Sequence, residues 1–223
     1  MSDYEVVIPE VLRALDLLGV LANALLGGVV ARQHRLDPVG FGALAILSGL
    51  GGGVIRDVLL QRGTPVALTD TAYLATVIVG ATIAYVVRID GRVWQQLFPI
   101  VDSLALGSWA ASGAQKTLLL GLHWLPAVLL GTVTAVGGGT VRDVVLRRVP
   151  LIFGGGHLYA TCALVASGLL VVFHQLGVTV LGPLIATVAG ALLYLLARWR
   201  SWTLPEQLPT RRPRNDRRRS GEE

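Results

Sequence analysis

Apolar runs about twenty residues long alternate with short polar links along nearly the whole chain. A bilayer core about 30 Å thick is crossed by roughly 20 apolar helical residues. Seven segments approach that length, at about 11–31, 39–60, 71–88, 97–115, 124–146, 157–174 and 178–199. The links between them are polar or turn-forming, as in Arg32 to Pro38, Gln61 to Asp70 and Arg147 to Gly156. The pattern predicts an all-α polytopic membrane protein with seven transmembrane helices. Residues 1–10 carry Asp3, Glu5 and Glu10 and lack the basic start of a signal peptide, so they read as a retained extracytoplasmic segment. Beyond Trp202 the chain turns to proline and arginine, and residues 203–223 read as a disordered basic tail on the cytoplasmic side.

The pattern also repeats. Gly51-Gly52-Gly53-Val54-Ile55-Arg56-Asp57 returns 86 residues later as Gly137-Gly138-Gly139-Thr140-Val141-Arg142-Asp143. At the same offset Asp16 matches Asp102, Gly27 matches Gly113 and Tyr73 matches Tyr159, with no gap. Residues 11–88 then form repeat one (helices 1–3), residues 89–174 form repeat two (helices 4–6), and residues 178–200 form a seventh helix. Three crossings is an odd number, so the second copy is predicted to run in the opposite sense. Such inverted repeats place functional sites near the bilayer midplane, where the halves meet.

Charge supports an orientation. Of 223 residues 53% are hydrophobic and only 15% charged, and mean hydropathy is +0.63, high for a soluble domain. With the N-terminus outside, the inner links hold Arg32, Arg35, Arg88, Arg92, Arg147 and Arg148, and the C-terminal region adds many more. The outer links hold only Arg62 and Lys116. The excess of inner arginine predicts N-terminus out, C-terminus cytoplasmic. It also accounts for the net charge of +5 without a nucleic-acid partner. The single cysteine, Cys162, excludes an internal disulfide, and the four histidines lack metal-ligand spacing. No nucleophile–base pairing, phosphate loop or haem motif is present, so neither an enzyme nor a bound cofactor is expected.

The candidate chemistry lies in four groups. Gly51, Gly52, Gly53 and Gly137, Gly138, Gly139 weaken two helices, because a helical glycine costs about 1 kcal/mol relative to alanine. They read as midplane kinks that line a pore; the alternative is close helix packing. Arg56, Asp57, Arg142 and Asp143 are ionisable groups in apolar segments, which seek partners or water. Neighbours in sequence do not face each other on a helix, so one pairing exchanges partners between repeats, Arg56 with Asp143 and Arg142 with Asp57; the alternative is that both pairs lie near the membrane interface and reach the headgroups. Asp16 and Asp102, read at helix starts, suit either a helix dipole or the attraction of cations at two vestibules. Lys116 is the only lysine, breaks the repeat symmetry against Val30, and is a gating candidate or a helix-end charge. The arginine-rich tail (Arg211, Arg212, Arg214, Arg217, Arg218 and Arg219) suits anionic membrane lipid or a topology signal.

With these residues in view, the chain resembles the prokaryotic branch of the trimeric intracellular cation channel family. The resemblance rests on the paired Gly-Gly-Gly-x-x-Arg-Asp motifs, Asp16-Leu17-Leu18-Gly19, Asp102-Ser103-Leu104-Ala105-Leu106-Gly107, and Gly113-Ala114-Gln115-Lys116, and covers about residues 11–199. It implies seven helices arranged three, three and one. It also implies a homotrimer with one hourglass pore per protomer, and passage of monovalent cations, K+ or Na+, past kinked second and fifth helices. A Lys-Glu-Val gating motif known in animal members is only partly matched, since Thr117 and Leu118 follow Lys116 here. Members of this branch have also been labelled glycine transporters, which keeps a secondary transporter of a small substrate as the alternative.

Overall fold

The computed structural model describes residues 3–87, 91–153 and 158–203, with the side chains of residues 3–9 and 91–95 left aside. The tail arginines from Arg211 onward therefore lie outside the described residues, as do Arg88 and His157. Within those residues the chain forms eight helices: α1 (Asp3–Gln33), α2 (Pro38–Leu60), α3 (Val66–Thr69), α4 (Thr71–Val86), α5 (Gly91–Leu119), α6 (Trp124–Val145), α7 (Tyr159–Gln175) and α8 (Leu181–Trp199). A long helix overlaps each of the seven apolar segments. The short α3 was not legible, since it lies in a link read as loop. Among the described residues, four stretches are long and apolar enough to cross a membrane: Glu10–Gln33, Pro38–Leu60, Trp124–Val145 and Leu181–Trp199. Two more apolar helices, Thr71–Val86 and Tyr159–Gln175, are shorter.

Local chemistry sets the helix starts. Asp37 caps α2 by accepting from the Gly40 N–H at 2.7 Å, and Pro38 fits the first turn, where its missing N–H costs nothing. Asp70 caps α4 by accepting from the Ala72 N–H at 2.9 Å, and Arg13 grips the same carboxylate at 2.9 Å. That guanidinium, with the amide, holds the exposed Asp70 carboxyl below the usual carboxylate range.

Large apolar side chains cover the outer surface, and several charged groups lie inside beside the apolar core. Ile78, Leu129 and Leu192 are more than half exposed on the outer surface, whereas Arg56, Asp16, Asp102, Arg142 and Asp143 are buried within. Small residues let the helices approach. A Cβ on Gly52 would overlap the Thr134 carbonyl oxygen, and one on Gly138 would overlap the Ser48 carbonyl oxygen. These two contacts are reciprocal, because Ser48 and Thr134 are themselves 86 residues apart. The pair α2 and α6 therefore cross antiparallel, with Gly137 within 2.9 Å of the Gly52 Cα were a Cβ added. The pair α1 and α5 is antiparallel as well: Asp16 lies beside Trp109 and Ser112, while Val30 and Gln33 share a cavity wall with Phe98. The extra helix α8 packs on α5 and α7, with Gly107 against the Thr187 carbonyl.

Candidate functional site

The two Arg-Asp motifs end in two buried clusters. In the first, Arg56 donates through Nε to Asp57 Oδ1 at 2.9 Å, and through Nη1 and Nη2 to both Asp16 oxygens at 3.2 Å each. Asp16 also accepts from the Tyr73 hydroxyl at 2.9 Å and the Ser112 hydroxyl at 3.0 Å. Asp57 accepts from Lys116 Nζ at 2.8 Å and from the Val66 N–H at 3.0 Å, which gives α3 its purpose. One guanidinium thus ties α1 to α2, and one ammonium ties α5 to α2. In the second cluster, Arg142 donates through Nε to Asp143 Oδ1 at 2.9 Å. Asp102 is held differently, by the Tyr159 and Tyr194 hydroxyls at 3.0 Å each.

Two expectations need correction. The exchange of partners between repeats does not occur: Arg56 pairs with Asp57 and Asp16, and Arg142 with Asp143. A helix prevents adjacent Cβ atoms from facing each other, but the arginine stem is long enough to curl its Nε back to the next carboxylate. Asp16 and Asp102 are not at helix starts. α1 begins at Asp3 and α5 at Gly91, so both carboxylates sit about three turns in and are buried, 7% and 4% exposed. Lys116, read as a gating candidate or a helix-end charge, is held by Asp57.

The glycines divide by role. Both triplets lie within continuous helix, without a left-handed residue, and both face the crossing of α2 and α6. Gly51, Gly52, Gly137 and Gly138 meet across it. Gly53 and Gly139 do not: the nearest atoms to their missing Cβ groups are Arg56 Nη2 at 3.9 Å and Arg142 Nη2 at 3.8 Å, and each lines a small space beside its own cluster. Trp109 lies at the crossing, 1% exposed; it meets Gly52 and Gly138 on one ring edge and donates from Nε1 to the Asp16 carbonyl at 3.2 Å. Sequence reasoning passed over Trp109, Ser112 and Tyr194. Tyr73 and Tyr159 carried a signal in their shared offset, whereas Tyr194 lies on α8, outside the repeat.

Two larger cavities open from opposite ends of the α1–α5 pair. One, of about 300 Å³, is lined by Arg13, Asp16, Asp70, Tyr73, Ser112 and Lys116 among others. The other, of about 340 Å³, is lined by Arg142, Asp143, Arg148, Tyr159, Tyr194 and Arg198 among others. The α2–α6 crossing and Trp109 lie between the clusters on which the cavities end.

A family model described as glycine transporter matches residues 13–88 and again residues 99–175. The chain belongs to that family. The two matches to the family begin 86 residues apart, the offset of the motifs. Its relatives are bacterial membrane proteins. The UPF0126 membrane protein of Deinococcus radiodurans is 35% identical over 91% of this chain and 93% of its own length. The UPF0126 inner membrane protein YadS of Escherichia coli is 31% identical over 88% and 94%. Among solved structures, the fold is similar to that of a TRIC cation channel studied for its conductance, with a TM-score of 0.79 and 28% identity, covering 88% of this chain and 97% of that one. A TRIC trimeric intracellular cation channel orthologue from Rhodobacter sphaeroides gives 0.76 and 27%, covering 85% and 98%. The chain is therefore a membrane protein of the prokaryotic TRIC fold.

Proposed function

We propose that this protein is a monovalent cation channel, permeable to potassium, with one hourglass pore in each protomer of a homotrimer. The observation that carries the reading is the pair of cavities within one chain, which approach from opposite ends and end on the two charged clusters, with the glycine crossing of α2 and α6 between those clusters. Similarity to proteins described as cation channels supports it. The reciprocal contacts of Gly52 and Gly138, and the antiparallel α1 and α5, support an inverted repeat. Seven helices then cross the membrane, the N-terminus lies outside, and the basic tail meets the cytoplasmic face and its anionic lipid. The protein acts without a cofactor and is not an enzyme.

In this account the crossing is the closed constriction, and the tie from Lys116 to Asp57 holds α5 against α2 at the floor of one cavity. Asp16 and Asp102, buried in their clusters, set the local potential for cations from within the walls. Replacing Lys116 by alanine removes the tie and leaves Asp57 facing the cavity. Open probability or conductance in single-channel records is then expected to rise several-fold, while an unchanged record removes Lys116 from the gate.

A second reading has one observation in its favour, the description of the family model. A secondary transporter of glycine would use the same repeats to alternate access. Reconstituted vesicles separate the two. A channel releases loaded potassium in a burst set by the membrane potential, and external glycine leaves the rate unchanged. Saturable glycine uptake with counterflow, and no potassium release, favours the transporter.

A further inference from the structure

The two arginines of the repeat are not used alike. Arg56 spends its whole donor edge inside the protein: Nε on Asp57, and Nη1 with Nη2 in a two-point grip on the Asp16 carboxylate. Arg142 has the same Nε contact to its neighbour, and its Nη2 reaches that same Asp143 oxygen at 2.9 Å. Its equivalent of Asp16, Asp102, is taken by two tyrosine hydroxyls, one of them supplied by α8. Among the described residues nothing bonds Arg142 Nη1. The side chain is only 7% exposed, and it lines the cavity of about 340 Å³. Two more guanidinium groups line that cavity from different elements, Arg148 after α6 and Arg198 near the end of α8. Neither forms an ion pair among the described residues, although Arg198 lies within hydrogen-bonding reach of the Tyr194 hydroxyl, on the side that faces Asp102. Arginines serving topology alone have no reason to converge from separate elements on one hollow. The opposite cavity shows the contrast, since its Arg13 is paired with Asp70 and its Lys116 with Asp57.

We propose that this cavity is a binding site for a small phosphate oxyanion, either free phosphate or a lipid headgroup. Arg142 offers it the fork that Asp16 occupies on Arg56, and Arg148 and Arg198 close on it from the open side. Guanidinium groups suit this ligand because their planar donors match paired oxygens. Three arginines outnumber Asp143 on the cavity wall and Asp102 behind the two tyrosines, and a phosphate oxyanion presents more oxygens to them than a single carboxylate does. Bound there, the anion neutralises a mouth that otherwise repels cations.

The test uses purified protein in detergent with labelled inorganic phosphate as probe, comparing wild type with Arg148→Gln, Arg198→Gln and the double variant. Both positions are exposed, so the variants are expected to fold, which thermal unfolding checks. Saturable binding weakened about tenfold by each substitution, the usual worth of one charge-assisted contact, supports the site. If a lipid is the native source, protein extracted from vesicles of phosphatidylcholine and phosphatidylglycerol retains phosphatidylglycerol, and the double variant loses it. Phosphate binding that the double variant keeps in full overturns the proposal, as does an absence of both phosphate binding and selective lipid retention. Glycine displacing phosphate mole for mole also overturns it, in favour of a carboxylate site. The result is independent of the channel reading, because a protein that binds phosphate and carries no current fails only the latter.

Discussion

Alanine at Gly52 is expected to cost this protein about 2–3 kcal/mol of stability, and alanine at Gly53, one position on, close to nothing. The triplets look uniform, but their surroundings are not. At Gly52 a methyl group overlaps the Thr134 carbonyl oxygen and lies 3.1 Å from the Trp109 ring. A backbone carbonyl cannot swing aside, so two helices must separate, and overpacking of this kind costs about 1–3 kcal/mol even in adaptable cores. At Gly53 the nearest atom is Arg56 Nη2, 3.9 Å away, an ordinary van der Waals separation that leaves room for a methyl group. There alanine removes a glycine from a helix interior, a gain of up to about 1 kcal/mol. Gly138 and Gly139 are expected to follow the same order. Thermal unfolding in detergent, read by loss of helical signal, ranks the four variants. Greater loss at Gly53 than at Gly52 contradicts the crossing and restores a hinge.

The second large effect concerns the first cluster. Replacing Arg56 by alanine leaves Asp16 in the interior with the Tyr73 and Ser112 hydroxyls and Asp57 with Lys116 and the Val66 N–H, a loss of about 3–5 kcal/mol for a broken buried pair. Replacing Arg142 strands Asp143 alone, and Asp102 keeps both tyrosines, so the cost is expected to be smaller. A double-mutant cycle separates this arrangement from an exchange between repeats. Coupling is expected between Arg56 and Asp16, and less than about 0.5 kcal/mol between Arg56 and Asp143. A large coupling in the second pair contradicts the structure of both clusters.

How much of this the chain disclosed depends on the distance over which each feature is set. Helix positions were legible because hydropathy is a property of consecutive residues. The repeat was legible because Gly51 to Asp57 and Gly137 to Asp143 are identical at five of seven positions without a gap. Partners were not. Whether Arg56 reaches Asp57, Asp16 or Asp143 depends on helix rotation and on how far an arginine curls, and neither leaves a periodic trace. The asymmetry of the clusters was hidden for a related reason. It comes from Tyr194, on a helix with no counterpart in repeat one, and from Ser112 and Lys116, whose equivalents are Leu26 and Val30. That Gly52 and Gly138 face a close helix crossing turned on atoms across the interface, the Ser48 and Thr134 carbonyls, which no pattern within α2 or α6 reveals.

The central claim is that the two cavities are mouths of one cation pathway closed at the α2–α6 crossing. Its most direct measurement is single-channel recording of the purified protein in planar bilayers between asymmetric potassium chloride solutions. Unitary currents that reverse near the potassium equilibrium potential are the expected result. Silent bilayers from folded protein that accumulates glycine in vesicles contradict it.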